Sequence, residues 1–146
     1  MTKTILLYCY LLFWIVAPKS TTEATKELPV AIKTSFESLF PKAMEVDWEE
    51  DETEYYLYFE NEAHNTEAFF SKTGKWIQTN IFIEYAELPD PAKIFIEKHY
   101  KEDIPYFDGI LRIETPEARH YVVTFESEGA GINLLFADTG NLVAEN

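Results

Sequence analysis

Three histidines, His64, His99 and His120, are the side chains of this 146-residue chain best suited to proton transfer near neutral pH. None has a second histidine at a metal-ligand spacing such as His-x-x-x-His. His99 stands near an expected helix C-terminus, where the helix dipole accounts for it. Ser35, Ser38, Ser71 and Ser127 lack the Gly-x-Ser-x-Gly turn that presents a nucleophile. Cys9, the one cysteine, lies in an apolar run near the N-terminus, so thiol, disulfide and zinc–thiolate chemistry are not expected of the remainder. With 26 Asp and Glu, close carboxylate pairs arise by chance, and acid–base use needs a pocket that shifts their pKa values. Gly129-Ala130-Gly131 fits a hairpin turn, since a phosphate loop needs a helix directly after it. Asp138-Thr139-Gly140-Asn141 hints at calcium, yet its counterpart Lys72-Thr73-Gly74-Lys75 carries lysines, and turn chemistry explains both. No catalytic residue, metal ligand or cofactor is therefore assigned.

The formal charge of −14 argues against nucleic acid, whose phosphates are met by Lys and Arg, and against an anionic membrane surface. Lys3 followed by an apolar run from Ile5 to Ala17 has the layout of a secretory signal peptide. The run is short for a membrane span, which needs about 20 residues. We expect residues 1–19 to be removed on export to the periplasm, cell surface or medium, with no stable membrane insertion after processing. Residues 20–27 are then a polar lead-in.

The elements that must position any site come from a phrase the chain states twice. Tyr55, Leu57, Phe59, Phe70 and Gly74 reappear 66 positions later as Tyr121, Val123, Phe125, Phe136 and Gly140. Leu28-Pro29 likewise returns as Leu88-Pro89, 60 positions on, so the second copy holds six extra residues, expected between Lys101 and Gly109. Ile32, Phe36, Leu39 and Phe40 share one helical face, and Pro41 stops the helix. Alternating apolar and polar residues then predict four strands, near residues 44–49, 55–60, 67–71 and 76–83. The second copy repeats the order, with strands near 110–114, 119–126, 131–137 and 141–144. Repeat 1 spans residues 28–85 and repeat 2 spans 86–146. No linker divides them, so one body is expected. Phe36, Phe59, Phe70, Ile96, Phe125 and Phe136 should form its core.

Leu28-Pro29, Phe40-Pro41-Lys42-Ala43, Trp48, Tyr55-x-Leu57-x-Phe59 and Phe70-x-x-x-Gly74-x-Trp76 together resemble the PepSY-like family, itself likened to the β-lactamase inhibitor protein. The resemblance implies an exported, non-enzymatic α+β protein. It further implies two tandem helix-plus-four-strand repeats, forming one curved antiparallel sheet of about eight strands with both helices on one face. The second copy departs from the pattern, lacking Phe-Pro-x-Ala and having Leu142 where Trp76 stands.

Strand parity then places Tyr56, Tyr58 and Phe69 on the helix-free face, rimmed by Glu54, Glu60 and Glu67. Trp76 joins them if Ile77 is the inward residue of its strand. His120, Val122, Thr124 and Glu126 hold the corresponding positions of the second copy. Exposed aromatics mark interaction surfaces, so this face is expected to bind a protein or peptide with a basic flank, in an inhibitory role or otherwise. Two alternatives stand beside it. In one the aromatics serve only as cross-strand packing or are covered by the N-terminal segment; in the other the chain is a metal-binding envelope protein or hydrolase using acidic residues and His120 in the cleft.

Overall fold

The computed structural model describes residues 27–102, 107–127 and 130–146. The expected signal peptide, and the lead-in up to Lys26, lie outside the described residues. Two helices, α1 (Val30–Leu39) and α2 (Asp90–His99), each open a run of four strands. The first run is β1 (Met44–Glu50), β2 (Glu54–Asn61), β3 (His64–Ser71) and β4 (Trp76–Phe82). The second is β5 (Phe107–Glu114), β6 (Arg119–Ser127), β7 (Ala130–Ala137) and β8 (Leu142–Glu145). All eight form one antiparallel sheet in sequence order.

Both helices start and stop by the same local chemistry. Pro29 and Pro89 precede them in nearly identical conformations (φ −55°, ψ 141° and φ −56°, ψ 142°). The carbonyl of each accepts the N–H four residues on, Lys33 and Lys93 respectively. At the other end the Phe40 and Tyr100 N–H groups close on the carbonyls of Phe36 and Ile96. Pro41 then prevents continuation of α1.

One sheet face carries both helices. Ile32 and Phe36 of α1 pack on Tyr55, Leu57, Phe59, Ala68 and Phe70, all buried. Ala92 and Ile96 of α2 pack on Tyr121, Val123, Phe125, Leu134 and Phe136. The structure buries all six residues expected in the core, each large apolar side chain contributing about 1.5–3 kcal/mol. Strand β4 and the residue after it join the two clusters: Trp76 packs against the first, and Ile81 and Ile83 belong to the second.

Two irregularities recur at matching places. In the β3–β4 pair Phe69 faces Gln78 but Phe70 faces Trp76, so β4 carries one extra residue. In the β7–β8 pair Leu135 faces Ala144 but Phe136 faces Leu142, the same one-residue bulge. Gly74 and Gly140 take positive φ (86° and 82°) in the turns just before these bulges. A Cβ on Gly74 would lie 2.8 Å from the Ala31 carbonyl oxygen, and one on Gly140 would lie 2.8 Å from Pro89 Cβ. Each turn is thus pressed against the first turn of its own helix, where only glycine fits.

The extra residues of the second half are not where the sequence led us to expect them. Leu57 pairs with Trp48 and Val123 pairs with Ile110, an offset of 62 on the first strands against 66 on the second. Only two of the six extra residues therefore precede β5, and the other four lengthen the β5–β6 hairpin. That hairpin adds the pairs Ile113–His120 and Glu114–Arg119 beyond the end of its counterpart. The two flanking offsets in the sequence fix the total insertion, and they leave its division unmarked.

Candidate functional site

The face opposite the helices is open among the described residues, and strand pairing sets its rows. One row runs Asp47, Tyr58, Glu67, Asn80, Ile113, His120 and Ala137 across β1 to β7. The next runs Phe82, Leu111, Val122, Leu135 and Ala144 across β4 to β8. Above the first lie Glu49, Tyr56, Phe69 and Gln78.

Tyr56 and Phe69 meet edge to face with ring centroids 5.4 Å apart, a favourable aromatic geometry. The Tyr56 hydroxyl donates to Asp51 Oδ2 at 2.6 Å. That hydrogen bond raises the phenol to about 12. The same bond, followed by the N–H groups of Thr53 and Glu54, holds the Asp51 carboxyl well below the usual carboxylate range. Tyr58 is 38% exposed and sits between Asp47 and Glu67. Partial desolvation, then Glu49 and Glu67, push its phenol up. Tyr58 and Phe82 line a groove of about 270 Å³ with Glu45, Asp47, Glu60 and Glu67. Among the described strand positions of this face there is no Lys or Arg.

The structure brings Tyr56, Tyr58, Phe69, Glu54, Glu60 and Glu67 onto this face, with Glu54 opposite Ser71 and Glu60 opposite Asn65. Trp76 requires a correction. The β4 bulge turns it to the helix side, where it packs with the first core and its Nε1–H donates to the buried Thr79 hydroxyl at 2.9 Å. A partly buried indole with its N–H satisfied is more stable there than on the wet face. His120 is on the open face, but Ile113 and Ala137 flank it. Glu67 lies three strands away in the same row, roughly 14 Å at ordinary strand spacing. Glu126 pairs its backbone with Gly131, and its side chain lies outside the described residues. His64, given no role from the sequence, approaches the Glu87 carboxylate at 3.0 Å on the helix side. Among the described residues no three His, Cys, Asp or Glu side chains converge as a metal ion needs.

The sequence reading undervalued the aliphatic half of the face. Phe82 is 45% exposed, and Leu111, Ile113, Val122 and Leu135 are half-buried beside it. A signal existed: Ile81-Phe82-Ile83 and Ile110-Leu111 are unbroken apolar runs, which mean a strand with apolar residues on both faces.

These features define an α+β protein of the one-sided type, in which a continuous antiparallel sheet carries its helices on one face and leaves the other bare. The chain belongs to the family described as "Putative beta-lactamase-inhibitor-like, PepSY-like", which it matches over residues 54–144. Among solved structures it is similar to a BLIP-like protein from Bacteroides fragilis, at 23% identity and a TM-score of 0.72, over 84% of this chain and 89% of that one. It is also similar to a protein from Bacteroides eggerthii described as "putative periplasmic", at 13% identity and a TM-score of 0.73, over 83% and 89%. At these identities the likeness is one of fold. No curated protein matches the chain. No helix among the described residues is long and apolar enough to cross a membrane.

Proposed function

We propose that this chain is an exported, non-enzymatic binding module that holds a protein or peptide against its helix-free sheet face. The observation that carries the reading is the composition of that face. Tyr56, Phe69, Tyr58, Phe82, Leu111, Val122 and Leu135 make an apolar track beside Asp47, Glu49, Glu54, Glu60 and Glu67. Such a surface suits a partner with an apolar tip and a basic flank. Carboxylates then set the association rate and its salt dependence, while the rings set dissociation. The inhibitor-like family and a relative described as periplasmic support a protein partner and an envelope location, and an inhibitory role belongs to the same proposal. The distance between His120 and the acidic half weighs against the hydrolase reading. Residues 28–85 and 86–146 act in this reading as two repeats of one domain.

Capture from an envelope extract with the mature domain identifies the partner. Tyr58→Ala combined with Phe82→Ala, both exposed positions, should then weaken binding by about 2 kcal/mol or more with stability nearly unchanged. Undiminished affinity would remove the site from this face. Mass spectrometry of the native protein should find a new N-terminus between Ala17 and Thr25, and an intact Met1 on most molecules would refute export by cleavage.

A further inference from the structure

The second repeat shows what fills the space beside its helix, and the first repeat has the same space without that filling. In the second, Ile83 belongs to the core cluster, and Tyr85 packs against it from the short turn (Tyr85–Glu87) that precedes α2. The Tyr85 hydroxyl donates to the Lys93 carbonyl at 3.4 Å and is within hydrogen-bonding reach of the Glu97 carboxylate. Burial, then Glu97, push this phenol up. Lys93 folds over the same segment: its ammonium donates to the Ala86 carbonyl at 3.3 Å, and its side chain is only 25% exposed. Leu88, next in the chain after the turn, is buried.

Sixty positions earlier α1 carries the same pair of residues, Lys33 and Glu37. With Leu28, Val30, Phe40 and Val46 they line a groove of about 850 Å³ between α1 and β1. Here both side chains are 62% exposed and meet each other at 3.9 Å. Leu28, the counterpart of Leu88, is only half-buried, and Val30 and Val46 are exposed. In the sequence Glu23 and Thr25 stand where the second repeat has Ile83 and Tyr85. Neither offers a large apolar side chain or a ring, so the chain's own lead-in lacks the residues that fill the corresponding space of the second repeat.

We infer that the α1–β1 groove accepts a partner's segment in which a tyrosine stands two positions after a branched aliphatic residue, the pattern of Ile83 and Tyr85. The aliphatic side chain and the ring cover Leu28, Phe40 and Val46, which removes apolar surface from water. The hydroxyl reaches α1 beside Lys33 and hydrogen-bonds Glu37, as that of Tyr85 does beside Lys93 and Glu97. A phenol suits the place better than a plain phenyl ring, because its polar tip ends at groups that would otherwise lose water without gaining a partner. Tyrosine is also among the residues that carry most of the binding energy at interfaces. This surface lies on the helix side of the sheet and is separate from the open face.

The test uses the full chain and the end-blocked peptide Lys-Ile-Lys-Tyr-Ala-Lys, with the isomer Lys-Ile-Tyr-Lys-Ala-Lys as its control. In an NMR titration the first should bind at least tenfold tighter and shift the Lys33 and Glu37 amides. Exchanging its tyrosine for phenylalanine should weaken binding at least fourfold with the native chain and less than twofold with Glu37→Ala, an exposed position. Leu28→Lys should weaken the tyrosine peptide tenfold or more, while Tyr58→Ala with Phe82→Ala leaves it unchanged, which keeps this groove distinct from the open-face site. Glu23→Ile with Thr25→Tyr gives the first repeat the filling of the second and should abolish binding. Equal binding of the two isomers would reduce the effect to charge attraction and overturn the inference. Undiminished binding by the Glu23→Ile, Thr25→Tyr chain would overturn it as well, since the two grooves would then not be equivalent. So would no binding at all, which would mean that residues 1–26 cover the groove.

Discussion

Replacing Gly140 with alanine drives a methyl group into the first turn of α2. The new Cβ would lie 2.8 Å from Pro89 Cβ and 3.1 Å from the Ala92 nitrogen. Neither neighbour is the free end of a flexible side chain, so turn or helix must move. Overpacking of this kind costs about 1–3 kcal/mol. The φ of 82° adds about 1–2 kcal/mol for a residue with a side chain. The expected loss is therefore about 2–5 kcal/mol. Gly74→Ala should behave alike, since its Cβ would meet the Ala31 carbonyl oxygen at 2.8 Å with φ at 86°. Gly109→Ala is the internal control: nothing lies within 4 Å of its Cβ position, and it should change stability by less than about 1 kcal/mol. Urea denaturation followed by circular dichroism reads all three. With a slope near 2 kcal/mol per molar, the first two midpoints should fall by about 1–2.5 M at unchanged slope. If Gly74→Ala and Gly140→Ala stay within about 0.5 kcal/mol of Gly109→Ala, the turns do not press on the helices and the account of the two bulges fails.

Phe59→Ala and Phe125→Ala should each cost about 3–5 kcal/mol by the same assay, because these rings are 5% and 0% exposed; losses below about 1 kcal/mol at both would invert the inward face. Ala63→Gly should stabilise by about 1 kcal/mol, since Glu62 and Ala63 form the β2–β3 turn with φ of 51° and 68°; a lowered melting temperature would contradict it. The Tyr56–Asp51 bond has a signed pH dependence. The phenol is raised to about 12, so its contribution is whole below the ordinary tyrosine range and is lost as pH climbs through 12. The Asp51 carboxyl is lowered, so its contribution is whole above the ordinary aspartate range and is lost as pH falls through the folded value. Tyr56→Phe should move the Asp51 carboxyl midpoint, followed by NMR, upward toward that ordinary range; an unmoved midpoint would show that the hydroxyl does not hold it.

How far the sequence could be read depended on whether a feature had a compositional mark. The inward face was legible because Tyr55, Leu57 and Phe59 keep their apolar character at every second position as Tyr121, Val123 and Phe125, while the residues between them change to His120, Val122 and Thr124. The contact of Tyr56 with Phe69 followed from that parity. Trp76 was misplaced because one extra residue in β4 reverses parity, and a bulge between Trp76 and Gln78 leaves no mark in residue type. Phe82 was passed over because parity along the fourth strand was not carried beyond Ile77, although Phe82 stands between the buried Ile81 and Ile83. The pairing of His64 with Glu87 joins residues 23 positions apart, the second in the short turn between β4 and α2, which no local pattern reports.

The unbroken neighbour-to-neighbour order of the strands also governs how the chain acquires its structure in time. Every strand pairs with the one made just before it, so loop-closure entropy is met in small steps and the topology favours rapid folding. A chain emerging N-terminus first can complete α1 to β4 around its own cluster before α2 exists. Such a half-made molecule ends on β4, whose edge from Thr79 to Phe82 awaits β5. Ile81 and Ile83, which pack in the second cluster, lack that cover in the interval. An exposed strand edge with apolar residues beside it is where unfinished chains adhere to one another. Truncation after Ile83 should therefore yield aggregates, and a lysine at position 81 in that fragment should restore solubility.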